Sequence, residues 1–328
     1  MSLRRVSSIA LGVLLAPPGG GVRAGSDPLS AEVQEVFQKS AKAVVRIQAE
    51  DDSGELSGSG FFIDPNGTIY TNYSVGGESH DIVVTDGALR YPATRVGADP
   101  RSGLAILKID AQKTPFLPMG KSSDLGVASM VMTVGYPYDL PVTPNVGCVG
   151  GFGISAGDRF FAVTHIRATV PVQRGEGGAP LLNMSGEVVG ILESSLEGGS
   201  GCFALPIEAA EKVQSDVMRF GEVRPGWLGI RFEKPDAEGS PIEVLGFVPG
   251  SPAEKSGLQP GDRIRKVGDR KVGTLADVLD AAFYLTAGDQ VPLTVLRGNQ
   301  TMEIKVEAGS SQSSGVVPVF DVSVRLGK

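Results

Sequence analysis

From Ala43 to Pro206 the chain breaks into short apolar segments, with a turn signal about every 8–12 residues and no helical pattern between them. Phe61-Phe62-Ile63 and Thr68-Ile69-Tyr70-Thr71-Asn72 flank Pro65-Asn66-Gly67, and an Asn-Gly pair suits the positive φ angles of a tight hairpin. Further strands are expected at Ala43–Ile47, Asp81–Thr85, Ala93–Gly97, Leu104–Ile109, Ser129–Gly135, Val146–Gly150, Phe160–Ala168, Ala179–Asn183 and Glu187–Glu193. Parallel pairing needs long crossovers, which these short connections do not supply, so the segments point to an antiparallel barrel or sandwich. One amphipathic segment, Ala31–Ala41, precedes them.

The chain has 328 residues, room for about two domains, and 41% of them are hydrophobic. The net charge is −7 and no Lys/Arg cluster lies beyond the first few residues, which argues against a nucleic-acid partner. There is no His-x-x-x-His or paired-Cys spacing, so neither a metal nor another cofactor is expected. Cys148 and Cys202 are too few for a disulfide scaffold; a single bridge and two free thiols both remain open. At the N-terminus, Arg4-Arg5, the apolar run Val6–Ala16 and Val22-Arg23-Ala24 read as an export signal covering residues 1–24. The run is too short to span a bilayer, and no Cys follows it to take a lipid. A secreted protein of a bacterial periplasm or envelope, with no stable membrane span, is expected.

Within the strand-rich region, Thr169–Leu182 stands apart: Thr-Val-Pro-Val-Gln-Arg-Gly-Glu-Gly-Gly-Ala-Pro-Leu-Leu. Gly175, Gly177 and Gly178 allow backbone conformations closed to other residues. Such a loop can turn several N–H groups toward one point, as an oxyanion requires. The stretch resembles the nucleophile loop Gly-Asn-Ser-Gly-Gly-Pro of HtrA/Deg-type, trypsin-fold serine proteases, with Gly177 where the Ser stands. Ser57–Ile63 and Thr71–Val75 resemble that family's Gly-Ser-Gly-Phe-Ile-Ile … Thr-Asn-Asn-His-Val. Val96–Asp110 is similar to its Asp-bearing segment, and Gly186–Leu192 with Phe203–Pro206 to the strands beside its specificity pocket. The resemblance implies a mainly β fold, with two six-stranded antiparallel barrels over residues 25–222 and a cleft between them.

The same correspondence removes the chemistry. The general-base His falls on Ser74, the orienting Asp on Gly103 and the nucleophile on Gly177. A hydroxyl to attack, an imidazole to take its proton and a carboxylate to fix the tautomer are all missing, which leaves no covalent route. The only histidines, His80 and His165, are expected in structural or exposed roles, and Ser185 has no His or acid in register. Glu176, in the expected oxyanion loop with Gly175, either opposes developing negative charge or points to solvent.

Residues 223–309 resemble the PDZ domain that follows Deg proteases, most clearly at Val248–Asp262 and at the carboxylate-binding loop Gly226-Trp227-Leu228-Gly229-Ile230. A short helix is expected from Ser251 to Gly257 and a second over Leu275–Leu285, with strands at Val291–Leu296 and Glu303–Glu307. The resemblance implies that a peptide adds as a strand beside Ile230 and Phe232. Its carboxylate would meet the Trp227–Gly229 loop, and its last side chain would lie among Leu228, Val278, Leu279 and Ala282. Residues 310–328 are expected to be a Ser-rich linker and a tail, either an edge strand on one of the domains or the stub of another.

The function expected is a secreted pseudoprotease that binds extended or C-terminal polypeptide segments, in envelope quality control or as an adaptor. An active serine endopeptidase with a displaced triad and a structural envelope scaffold stand beside it as alternatives. The resemblance also implies a homotrimer through a segment near Phe37, or a mixed oligomer with active relatives.

Overall fold

The computed structural model describes residues 28–156, 159–233, 242–310 and 321–323. The expected export signal lies outside these residues. Helix α1 (Pro28–Ser40) leads into the first six strands: β1 (Val44–Asp51), β2 (Gly54–Phe62), β3 (Thr68–Asn72), β4 (His80–Asp86), β5 (Leu89–Asp99) and β6 (Leu104–Ile109). They close as a barrel in the order β1-β2-β3-β6-β5-β4. The next six are β7 (Met130–Gly135), β8 (Thr143–Ala156), β9 (Arg159–Ala168), β10 (Pro180–Asn183), β11 (Val188–Ser195) and β12 (Cys202–Pro206). They close as a second barrel, in the order β10-β11-β12-β9-β8-β7.

Several of these strands read as unbroken apolar runs because both faces are buried. Strand geometry sends successive side chains to opposite faces. Phe62, Ile69 and Leu107 therefore fill the first barrel, while their neighbours Phe61, Tyr70 and Ile106 enter a shared core between the barrels. In the second barrel Leu181 and Val189 point inward, and Leu182 and Val188 join the shared core. Phe37 of α1 packs half-buried on this same core.

Two helices here were not anticipated. One turn, α2 (Tyr73–Gly76), follows β3 and is capped by Asn72, whose side chain accepts from Ser74 N. The second, α3 (Ile207–Phe220), places Ile207, Ala210, Val213 and Val217 on the shared core and ends at Gly221, whose φ is +77°. Both cysteines are free thiols: Ala168 of β9 pairs with Val149 on one side and Cys202 on the other, so β9 separates them. Burial pushes the Cys202 thiol up to about 12.

The C-terminal unit has its own core, including Leu228, Ile230, Phe232, Val278 and Leu293. It is built from β13 (Gly226–Trp227), β14 (Ile230–Glu233), β15 (Val244–Phe247), β16 (Arg263–Val267), β17 (Arg270–Lys271), α4 (Leu275–Phe283), β18 (Gln290–Arg297) and β19 (Gln300–Glu307). Thr274 and Asp277 form a capping box that starts α4. The expected helix after Ser251 is a single turn, Ala253–Lys255. Helix α4 also fixes this unit to the barrels: Asp280 accepts from Thr164 N at 2.7 Å, and Phe283 enters the shared core. Asp216 of α3, 1% exposed, accepts from Lys212 Nζ, Arg224 N and Thr286 Oγ1 across the same junction.

The tail contributes two strands. β20 (Gly309–Ser310) pairs with β13, and β21 (Asp321–Ser323) pairs in parallel with β14 in the register Arg231↔Asp321 and Phe232↔Val322.

Candidate polypeptide-binding cleft

The glycine loop is held by one serine. Ser59 of β2, 0% exposed, donates from Oγ to Gly175 O at 2.8 Å and from its N–H to Gly177 O at 2.9 Å. Its Oγ also accepts from Tyr136 N at 2.9 Å. The remaining carbonyls are taken as well: Arg174 O by Tyr138 N at 2.7 Å, and Glu176 O by Ala179 N at 3.0 Å. Of the amides, Glu176 N donates to Gln173 O and Gly178 N to Leu192 O. Gly175 N and Gly177 N donate to no acceptor among the described residues. Two unmatched N–H groups, at buried Gly175 and partly exposed Gly177, in a loop whose carbonyls from Gln173 to Gly177 are all satisfied, offer a place for an acceptor. A trans peptide sets its N–H opposite its carbonyl, so both donors point away from the contacts that anchor Arg174 O and Glu176 O.

The three glycines have different reasons. A Cβ at Gly175 (φ +94°) would fall 2.5 Å from Tyr136 O, and one at Gly178 (φ +86°) 2.3 Å from Ser59 O. At Gly177 the nearest atom is Asn72 Cβ at 4.0 Å, so the room for a side chain is intact and empty of one.

The positions expected at the triad sites lie on segments joined by hydrogen bonds beside this loop. Asn72 Nδ2 donates to Glu193 O at 2.8 Å, and Asn72 Oδ1 caps the turn that carries exposed Ser74. Tyr73 N donates to Gly103 O at 2.6 Å. At Gly103 (φ +72°) a Cβ would lie 2.8 Å from Glu193 Cγ and 3.0 Å from Cδ. Glu193 thus fills the space beside the residue where the orienting carboxylate would begin. Its Oε2 contacts Nε2 of His165, which is 1% exposed, and the ring's Nδ1 faces Val163 O at 2.9 Å. Phe161 stacks on the imidazole at 4.0 Å between centroids. With both nitrogens committed, this histidine is not available to Ser74 or to anything at Gly177. His80 is exposed beside Asp81 and Glu50, and ligand atoms of the three lie within 4.8 Å of one another on the open barrel surface.

Glu176 departs from the sequence expectation that it would reach solvent or face the oxyanion donors. It is 0% exposed and turned back into its own loop, accepting from Gln173 N at 2.6 Å and Asn145 Nδ2 at 2.8 Å. Burial raises its pKa against the pull of these hydrogen bonds. Neither Ser59 nor Glu193 stood out in the sequence. Ser59 is one small residue in Gly-Ser-Gly, and Glu193 meets His165 only through the pairing of distant strands.

In the C-terminal unit the loop expected to hold a carboxylate runs over Trp227–Gly229 at the end of β13. Gly229 has φ +74°, Leu228 O accepts from Ala253 N, and Gly229 O accepts from Val248 N. The N–H groups of Leu228 and Gly229 donate to nothing among the described residues. Trp227 is half-buried, while Leu228, Ile230, Phe232 and Val278 are 0% exposed and Ala282 is 2% exposed, all within the core. Among the expected pocket residues of α4, Leu279 keeps partial exposure. The free edge of β14, where a peptide strand would add, carries β21 of the same chain.

Residues 58–191 match the trypsin-like peptidase domain model, and residues 226–308 match the PDZ domain model. A probable periplasmic serine endoprotease, DegP-like, from Pseudomonas fluorescens is 33% identical over 267 residues, 77% of this chain and 56% of that protein. One of the same description from Chlamydia trachomatis is 32% identical over 266 residues, 76% of this chain and 53% of that protein. The chain thus spans a little over half the length of these curated relatives. Among solved structures, the HtrA-type protease AlgW with tripeptide superposes with a TM-score of 0.71 at 23% identity, covering 86% of this chain and 98% of that one. The serine endoprotease from Yersinia pestis gives 0.61 at 26% identity, covering 85% and 98%.

Proposed function

We propose that this chain, which belongs to the HtrA/Deg-type family of trypsin-like, PDZ-containing proteins, binds polypeptides in the periplasm without cutting them. The observation that carries this reading is the state of the loop. Its backbone frame is complete, with Ser59 clamping two carbonyls and two N–H groups left for an acceptor, yet Gly177 brings no attacking atom. Ser74 has no proton affinity useful near neutral pH, and His165 is locked on Glu193. Binding geometry and chemistry have separated: the parts that position a chain are present and the parts that break it are not.

The relatives named above are described as periplasmic, and no helix among the described residues is long and apolar enough to cross a membrane. Unfolded casein mixed with the mature protein should form a complex by gel filtration and be recovered at its starting length. Progressive shortening of the casein would overturn the proposal, and so would the absence of any complex.

The PDZ unit would supply the second contact through the Leu228 and Gly229 amides and the edge of β14. Because β21 already lies along that edge, deletion of residues 311–328 is expected to tighten binding of a free-acid peptide by about tenfold, measured by fluorescence anisotropy. Unchanged affinity after the deletion would show that β21 does not compete for the edge.

A further inference from the structure

The two unmatched amides of the barrel loop suit a particular acceptor. We propose that Gly175 N–H and Gly177 N–H bind the terminal carboxylate of a polypeptide, so that the cleft receives chain ends of the kind a protease releases. This deepens the non-hydrolytic reading above and rests on it.

Three observations carry the assignment. First, the donors come as a pair, two residues apart, in a loop whose carbonyls from Arg174 to Gly177 are all turned onto other donors. No oxygen of that backbone is left to repel an anion. Second, the absent side chain at Gly177 leaves space out to 4.0 Å, beside the amide that would hold the ligand. An internal peptide group brings one oxygen to such a place, whereas a carboxylate brings two and has use for the extra room. Third, the acids nearby are engaged. Glu176 is hydrogen-bonded inward to Gln173 N and Asn145 Nδ2, and Glu193 is paired with His165. Amide donors to a charged oxygen make hydrogen bonds about twice as strong as those to a neutral carbonyl, so the end of a chain should outcompete its middle.

The approach is open. Gly177 is partly exposed, and Ser74, at the family's base position, is exposed and neutral. Restoring a base or a nucleophile would crowd this volume; in their absence it can stay occupied by a product.

The PDZ loop also offers N–H groups, so the test must report on the two sites separately. Amide proton–nitrogen NMR of the full mature chain does so, with acetyl-Ala-Ala-Pro-Val titrated as free acid and as C-terminal amide. The Gly175 and Gly177 resonances should move with the acid, at an affinity about tenfold better than with the amide. The Leu228 and Gly229 resonances give the independent PDZ response. Gly177→Leu, which fills the space, should weaken the response of Gly175 by at least about tenfold and leave Leu228 and Gly229 unchanged. Equal movement with acid and amide, or none at Gly175 and Gly177, overturns the proposal, and the unmodified protein alone decides that if Gly177→Leu fails to fold. Hydrolysis of acetyl-Ala-Ala-Pro-Val amide, followed by mass spectrometry in the same samples, would instead overturn the non-hydrolytic reading.

Discussion

Gly178→Ala is expected to lose more than about 4 kcal/mol of stability, whereas Gly177→Ala, one position earlier, should be neutral or stabilising by up to about 1 kcal/mol. At Gly178 a Cβ would lie 2.3 Å from Ser59 O, 2.6 Å from Asn72 N and 2.6 Å from Thr71 Oγ1, with φ at +86°. None of these neighbours can yield easily. Ser59 and Thr71 are 0% exposed, and the Thr71 hydroxyl donates to Ser59 O, so relieving the clash would pull apart the seam between the barrels. At Gly177 the built Cβ meets only Asn72 Cβ, at 4.0 Å. Urea unfolding of both variants, followed by circular dichroism, tests the contrast. Similar losses for the two would mean that the loop is not wedged between the barrels as described.

The second large effect concerns installing triad residues at the positions the family resemblance assigns to them. Gly103→Asp would place a carboxylate where the family resemblance expects one, but it is expected to destabilise by about 2–4 kcal/mol. Its Cβ would lie 2.8 Å from Glu193 Cγ at a φ of +72°, and its carboxylate would be driven against another one. The two positions should therefore couple: combining Gly103→Asp with Glu193→Ala should lose about 1–2 kcal/mol less than the sum of the single changes. Strict additivity would mean that Glu193 does not occupy that space. It follows that introducing Ser74→His, Gly103→Asp and Gly177→Ser together would not reconstruct an active site while Glu193 and His165 keep their present pairing. The PDZ loop carries a similar warning. Gly229→Val would place a Cβ 2.3 Å from Ser251 Cβ, and Ile230→Asp would bury a charge at a 0% exposed position. Both changes would unsettle the domain before they reported on a ligand.

Much of this architecture was legible because its signals are local. The hairpin at Asn66-Gly67, the length of the strand segments and the Leu275 helix depend on neighbours within a few residues. The strands buried on both faces, such as Phe61-Phe62, were readable as strands, but the split of alternate side chains between barrel interior and shared core was not. Helix α3 was missed although Ile207, Ala210, Val213 and Val217 repeat at helical spacing, because Glu208, Glu211 and Gln214 dilute the apolar content of the segment. The site divides the same way. The expectation that Ser74, Gly103 and Gly177 stand at the triad positions rests on the order of the residues alone. The Ser59 clamp, the inward turn of Glu176 and the Glu193–His165 pair each depend on backbone or strands brought together by tertiary structure, and no spacing rule reaches them. The parallel pairing of β21 with β14 joins segments about ninety residues apart and was open to several alternatives on sequence alone.

The proposed function is that this protein holds a chain and does not cut it. Intact-mass measurement of the mature protein after prolonged exposure to a fluorophosphonate, beside an active serine protease as control, tests this most directly. The unmodified mass is predicted, since Gly177 has no side-chain hydroxyl and, among the described residues, no imidazole is placed to activate another. Stoichiometric addition of one phosphonyl group to any serine of the barrel domain would contradict it.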